Sequence, residues 1–204
     1  MQILILTETN WIGNIVLSQD SASSYLLDLA NRNTIEIATP EYAFYEADGM
    51  MSKKLKKRIG SIDESLQNLK QIQHSPTYRD LYETAKNALK EIKSLSMAEP
   101  IYIEHTMNRI ESQVKVIPYT NAILIKADLR FKSSKPPFKL DDCRIYESIL
   151  DYVRSNGQNY NIRIFHTTDK EDFDHDRIYS ELENLNVELY FSPNDVVRRI
   201  YELL

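Results

Sequence analysis

Five carboxylate residues lie near the predicted ends of secondary-structure elements, far apart in the sequence. They are Glu8, Glu46, Asp142, Asp169 and Asp172. Carboxylates that gather in one place repel one another and raise one another's pKa unless a cation neutralises them. Oxygen ligands of this kind suit Mg²⁺ or Mn²⁺, and such an ion can polarise a phosphodiester and lower the pKa of an attacking water. No His or Cys spacing supports zinc, so the pattern favours hydrolysis assisted by a hard divalent cation.

Each of these carboxylates also has a purely structural explanation. Asp141 or Asp142 is a natural N-cap for the amphipathic helix predicted to follow, and Asp172 can cap the segment after Phe173. Glu46 fits an exposed helix face, and Glu8 fits a loop. The shared placement of the five residues carries the prediction of a site, and no single residue does.

Five short apolar or alternating segments predict the strands that position these residues. They are Ile3–Leu6, Ile35–Ala38, Val114–Ile117, Ile162–Phe165 and Val187–Phe191. Helical patterns separate the segments, which predicts parallel crossovers and a sheet covered on both faces. The expected fold is therefore a three-layer α/β/α domain with a five-stranded parallel sheet. Ligands bind such a sheet at the carboxyl ends of its strands, where the strand order reverses.

The long stretch between the second and third predicted strands indicates a helical hairpin over about 52–96, with helices of about 20 residues each. The first helix has an apolar seam formed by Leu55, Ile59, Ile62, Leu66 and Leu69. Ser75-Pro76 starts the second helix. That helix is expected to bury one side, formed by Tyr78, Leu81, Tyr82, Ala85, Leu89, Ile92 and Leu95. The whole chain, residues 1–204, is expected to form one domain with the hairpin as an insertion.

Composition and charge limit the protein classes that fit. The chain is 42% hydrophobic and 27% charged, which is enough apolar material for a core. Cys143 is the only cysteine, which excludes an internal disulfide and fits a reducing compartment. No apolar run approaches the ~20 residues needed to cross a bilayer. The first residues lack the features of a signal peptide, so a cytoplasmic location is expected.

The net charge of −5 argues mildly against a non-specific nucleic-acid binder, but the charge is uneven. Lys53, Lys54, Lys56 and Lys57 form a basic cluster, which is a candidate nucleic-acid-binding surface. A second cluster contains Lys132, Lys135 and Lys139. A solvated helix face is the commoner meaning of such charge runs, and that alternative stays open.

Four segments, in this order, resemble the motifs of the PIN-domain family. Glu8-Thr9-Asn10 resembles the family's opening Asp-Thr-Asn, with Glu in place of Asp and the aromatic Trp11 after it. Glu46 resembles the second carboxylate of the family. The third region is matched by Asp142-Cys143-Arg144-Ile145, and the fourth by residues 167–173. The resemblance covers roughly residues 2–46 and 114–200, and it implies the strand order 3-2-1-4-5.

The resemblance implies a Mg²⁺- or Mn²⁺-dependent ribonuclease whose products carry a 5′-phosphate and a 3′-hydroxyl. The implied catalytic residues are Glu8, Glu46, Asp142 and Asp172. The implied metal ligands are Glu8, Asp142, Asp169 and Asp172. Asn10 and Thr167 are implied to support the ligands from a second layer. Many family members are toxins, so the candidate partners are RNA, an antitoxin protein and a second copy of the chain, and no membrane.

Two other function classes remain open at this stage. A PIN-like module without productive metal binding would bind RNA or protein without cleaving it. Loss of two or more carboxylates would favour that module, whereas all four motif positions here are acidic. Phosphatases with an Asp-x-Asp nucleophile are a third α/β class, but Glu8-Thr9-Asn10 supplies no such aspartate.

Overall fold

A five-stranded, all-parallel sheet forms the centre of the protein in a computed structural model that describes residues 2–204. The strands are β1 Ile3–Leu6, β2 Glu36–Pro40, β3 Lys115–Ile117, β4 Ile162–His166 and β5 Glu188–Tyr190. Their order is β3-β2-β1-β4-β5, which confirms the predicted topology. Met1, which the predicted domain includes, lies outside the described residues.

Helices follow the strands and cover the sheet. They are α1 Thr9–Val16, α2 Ser21–Asn31, α3 Glu41–Leu69, α4 Arg79–Gln113, α5 Asn121–Lys132, α6 Leu140–Asn156, α7 Lys170–Phe173, α8 Asp176–Glu183 and α9 Pro193–Leu203. All four residues of β1 are buried, because this strand is central in the sheet and helices cover the sheet's faces. Continuous burial of this kind explains why β1 reads as an unbroken apolar run.

The strand register brings the ends of three strands to one edge of the sheet. Leu6 at the end of β1 pairs with Ala38 of β2 on one side and with Phe165 of β4 on the other. The backbone amide of Thr7 extends the β1–β2 pairing by donating to the carbonyl of Ala38 at 3.1 Å. The residues that follow β1 and β4 therefore lie close together, although about 160 positions separate them in the sequence.

The helices between β2 and β3 are longer than the sequence analysis predicted. The predicted hairpin bounds of about 52–96, with helices of about 20 residues, are wrong at both ends: α3 contains 29 residues and α4 contains 35. Helix α3 begins directly after β2, since no Gly or Pro interrupts its first two turns and Ala43, Phe44 and Ala47 are buried there. By compactness, residues 48–106 form one unit, and the rest of the chain forms the other.

The buried side of α4 differs from the predicted one. Tyr82, Ser96 and Ile103 are buried, at multiples of seven residues, whereas Leu81 and Leu95 are 66% and 64% exposed. Tyr78 and Ile92, also predicted to be buried, are exposed as well. A seven-residue spacing is typical of a narrow helix–helix seam, and the predicted stripe was too broad for it.

A buried arginine connects three helices near the start of α6. The guanidinium of Arg130 on α5 donates to Glu147 on α6 at 2.6 Å and to Glu181 on α8 at 2.7 Å. It also donates to the carbonyl of Pro136 at 2.5 Å, and the thiol of Cys143 donates to the carbonyl of Pro137 at 3.0 Å. These bonds fix the segment that leads into α6.

Candidate active site

Three aspartates from two separate segments converge beyond the carboxyl end of β4. Asp142, Asp169 and Asp172 each offer one carboxylate oxygen, and these atoms all lie within 4.8 Å of one another. Opposite ligands of an octahedral Mg²⁺ site lie about 4.2 Å apart, because each Mg–O distance is ~2.1 Å. The spacing of the three oxygens is therefore close to what one divalent cation requires.

Neither Asp142 nor Asp172 is the helix cap that the structural alternative required. The N-cap of α6 is Lys139, and Asp142 lies in the first turn of that helix. Asp169 is the N-cap of α7, where its carboxylate accepts from the amide of Asp172 at 3.1 Å. The N-cap of α8 is His175. The capping explanation of Asp142 and Asp172 is therefore wrong, and Asp172 is only 3% exposed.

Glu8 follows β1 in the chain, where it is the N-cap of α1 and is 5% exposed. One carboxylate oxygen accepts from the amide of Asn10 at 2.7 Å, and within residues 2–204 the buried Oε1 atom has no hydrogen-bond partner. Burial raises the pKa of Glu8 to about 7, the charges of Asp142 and Glu46 add to this, and the amides of Asn10 and Thr168 oppose it. The backbone amide of Thr168 lowers the pKa of Glu8, although it does not meet the geometry of a hydrogen bond to Oε1. An unpartnered buried carboxylate oxygen is costly unless a cation or a proton neutralises it.

The two remaining carboxylates also have raised pKa values. Burial raises the pKa of Asp142 to about 7, and the charges of Asp172 and Glu46 contribute. Burial likewise raises the pKa of Glu46, whose carboxylate accepts a hydrogen bond from the hydroxyl of Thr9. Glu46 and the aspartates thus act on one another electrostatically, so the carboxylates from four sequence segments share one electrostatic environment.

Lys139 lies among the three aspartates. Its ammonium forms an ion pair with Asp172 and lies 3.7 Å from a carboxylate oxygen of Asp169 and 3.9 Å from one of Asp142. Lys139 was predicted only as a member of the second basic cluster, and its position among the aspartates was not predicted. The available signal was its spacing, because a residue three positions before Asp142 at a helix start lies beside it in space.

The residues around the carboxylates differ partly from the predicted supporting pair. Thr167 is buried, and its hydroxyl accepts from the amide of Asp169 at 3.0 Å. Asn10 contributes its backbone amide to Glu8, and its side chain forms no hydrogen bond in the part of the chain that the structure describes. The hydroxyl of Thr9 donates a hydrogen bond to the carboxylate of Glu46. Thr9 was not predicted as a supporting residue, although it is the middle residue of the Glu-Thr-Asn motif.

The predicted basic cluster lies on α3, in the compact unit formed by residues 48–106. Lys53, Lys54, Lys56 and Lys57 are all exposed. Exposure of this kind fits both a nucleic-acid-binding surface and a solvated helix face.

The PIN-domain family model matches residues 5–173. The chain belongs to the PIN-domain family. The match begins within β1 and ends at Phe173, so it includes Glu8, Glu46 and the three aspartates. No curated protein and no solved structure matches the chain.

None of the helices between residues 2 and 204 combines the length and apolar character that spanning a bilayer requires.

The raised pKa values predict that the metal-free PIN domain loses stability as the pH rises. Between pH ~4.5 and ~7 the folded protein retains protons on Glu8 and Asp142 that the unfolded chain has released, so the unfolded state binds fewer protons and the free energy of unfolding falls with pH. For Glu8 alone the loss is at most ~3 kcal/mol. The measurement is urea unfolding in EDTA at pH 5, 6, 7 and 8.

Two comparisons sharpen this test. Mn²⁺ should restore stability most at the high end of the pH range, because only deprotonated carboxylates bind it. Glu8→Gln should flatten the pH dependence in EDTA, since it removes one of the two titrating groups. Equal stability of the wild type at pH 5 and pH 8 in EDTA would contradict the prediction.

Proposed function

We propose that this PIN domain is a metal-dependent endoribonuclease that hydrolyses phosphodiester bonds in RNA. The observation that supports the proposal most is the convergence of Asp142, Asp169 and Asp172 within 4.8 Å, in one electrostatic environment with the buried and unpartnered Oε1 of Glu8. The donor set consists of oxygens alone, which fits Mg²⁺ or Mn²⁺.

The proposed ligands are Glu8, Asp142, Asp169 and Asp172. When bound, the ion polarises the phosphodiester and lowers the pKa of the attacking water. Thr167 orients its ligand by accepting the amide hydrogen bond of Asp169. The backbone amide of Asn10 likewise fixes one carboxylate oxygen of Glu8 and leaves the other oxygen free to bind the ion. Glu8 can therefore act as a ligand, although its side chain is longer than the Asp of the family motif.

Glu46 is the proposed residue for orienting water. The hydroxyl of Thr9 fixes the orientation of its carboxylate, and burial raises its pKa, which favours acceptance of a proton from water. Glu46 is less buried than Glu8, so it is accessible to water at the edge of the carboxylate cluster.

A second candidate function is a catalytically inactive PIN module that binds RNA or protein. The ion pairs of Lys139 favour it, because a lysine among the three aspartates offsets part of their negative charge without a metal. The deciding experiment is incubation of the protein with a mixed RNA pool and either Mn²⁺ or EDTA, followed by sequencing of the cleaved ends. The nuclease should leave new 5′-phosphate ends with Mn²⁺ alone, whereas the inactive module should leave none.

The family resemblance extends the proposal to a toxin with an antitoxin protein as its partner. Induced expression of the wild type should then arrest growth, and Asp142→Asn should not. A second copy of the chain is another candidate partner, which sedimentation of the purified protein would test.

We also propose that residues 1–204 form a single PIN domain in which the helical hairpin is an insertion.

The basic cluster on α3 is proposed to bind RNA phosphates. Replacement of Lys53, Lys54, Lys56 and Lys57 by Ala should weaken RNA binding about tenfold and reduce the slope of log affinity against log salt by up to about 3, since each phosphate contact on a single strand contributes ~0.7. The measurement is fluorescence anisotropy of a labelled RNA in EDTA, where no cleavage interferes.

A charge-matched variant controls for the change in net charge. It replaces four exposed lysines outside the α3 cluster by Ala, namely Lys70, Lys90, Lys115 and Lys132. This control should retain more of the affinity than the cluster variant does. Equal affinities and equal salt slopes for the two variants would identify the cluster as a solvated helix face.

A further inference from the structure

The ammonium of Lys139 occupies the region that a metal ion bound by the three aspartates would require. It forms an ion pair with Asp172 and lies within 3.9 Å of oxygens from both other aspartates. A divalent cation would need to approach the same oxygens to ~2.0–2.6 Å. The two cations therefore cannot both occupy the cluster, since their charges repel and their positions overlap.

Lys139 is the only cationic side chain within 4.0 Å of these aspartates in residues 2–204. Without a metal, it alone offsets the mutual repulsion of three neighbouring carboxylates. Asp172 depends on it most, because this carboxylate is almost completely buried and its other polar contact is an amide hydrogen bond from Phe138 at 3.4 Å.

The lysine is free to leave, whereas the aspartates are held in place. The Lys139 side chain is 60% exposed, and the residue lies at the N-cap position of α6, outside the regular helix. Its side chain can rotate into solvent without disturbing α6. The carboxylate of Asp169, in contrast, accepts from the backbone amide of Asp172, and the buried carboxylate of Asp172 accepts from the backbone amide of Phe138.

We propose that Lys139 is a built-in counter-ion that a divalent metal must displace, so that it lowers the affinity of the PIN domain for Mg²⁺ and Mn²⁺. The inference rests on the proposed function, because the same carboxylates are proposed to hold the metal. Metal binding is then an exchange of one cation for another, in which Lys139 moves out to the rim of the site. A positive charge at that rim is suited to a substrate phosphate.

The test is calorimetric titration of the RNA-free protein with Mn²⁺. Lys139→Met removes the charge and retains the apolar part of the side chain, and it should bind Mn²⁺ at least about tenfold more tightly than the wild type does. In EDTA the same variant should melt at a lower temperature, because Asp172 loses its counter-ion. Lys132→Met changes the net charge equally at an exposed position on α5 and should match the wild type in both measurements.

Two further variants keep the proposal testable if Lys139→Met folds poorly. Lys139→Gln is neutral and polar and should also bind Mn²⁺ more tightly, whereas Lys139→Arg retains the charge and should bind it about as the wild type does. Unchanged or weaker Mn²⁺ binding by both neutral variants would overturn the proposal, and the metal-dependent nuclease would stand if the wild type still bound Mn²⁺ and cleaved RNA. Absence of Mn²⁺ binding in the wild type and in every variant would overturn both.

Discussion

Replacement of Asp142 by Asn should reduce RNA cleavage by at least about 100-fold. Mutation of a residue that only contacts a metal ligand commonly reduces metal affinity or activity by about 10–100-fold, and loss of a ligand itself should cost more. Asn preserves the shape of the side chain and removes the charge that a cation requires. At pH 8 the metal-free variant should be as stable as the wild type or more stable, since Asp142 has a pKa raised to about 7 by burial and neighbouring charges. Mn²⁺ should stabilise it less than it stabilises the wild type.

Single-turnover cleavage and thermal unfolding, each with and without Mn²⁺, measure these effects. Asp141→Asn is the matched control, because Asp141 lies in the same helical turn and carries the same charge, but its side chain is 51% exposed and is not among the converging oxygens. The control should cleave RNA at close to the wild-type rate. Full activity of Asp142→Asn would remove this residue from the proposed site, and a wild type that neither cleaves RNA nor responds to Mn²⁺ would favour the binding module.

Replacement of Arg130 by Met should lower the free energy of unfolding by about 3–5 kcal/mol, the usual effect of removing one partner from a buried ion pair. Arg130 is 6% exposed, and without it Glu147, which is 8% exposed, becomes a buried carboxylate without a counter-ion. The carbonyl of Pro136 also loses its donor. Activity should fall as well, because the segment that Arg130 holds carries the Phe138 amide, which donates to Asp172.

Urea unfolding at pH 7 measures this loss, and two variants test its cause. Arg130→Met combined with Glu147→Leu should recover part of the stability, since no buried charge is left unpaired. Arg198→Met breaks an ion pair with Asp195 whose arginine is 71% exposed, and it should change the stability by less than about 1 kcal/mol. A loss below about 1 kcal/mol for Arg130→Met would show that solvent reaches the network.

The hairpin marks the limit of what local sequence patterns predict. Its apolar residues repeat with helical spacing, so the presence of two helices was predictable, but neither their lengths nor the buried side of α4 was. Gly49 is the one residue between Glu41 and Ser52 that commonly ends a helix, but α3 continues through it, so the predicted start at Ser52 was wrong. Leu81 and Leu95 are as apolar as buried residues, and their exposure is decided by where the partner helix lies.

The sequence by itself determined the strands and the family. Strands buried on both faces must be short apolar runs, which is why β1 was predicted residue for residue as Ile3–Leu6. The strand order came from the resemblance of four carboxylate motifs, because periodicity contains no information about which strands are neighbours. Composition and spacing also predicted that those carboxylates follow strands or begin helices.

Only the tertiary structure decided how the charges are paired. Glu8 and Asp142 are 134 positions apart, and Asp142 raises the pKa of Glu8 only because the sheet and α6 bring their segments together. Lys139 looked like one member of a basic surface cluster, and folding placed it among three aspartates instead. Coulomb energies depend on distance and burial, neither of which a linear sequence specifies for residues far apart in the chain.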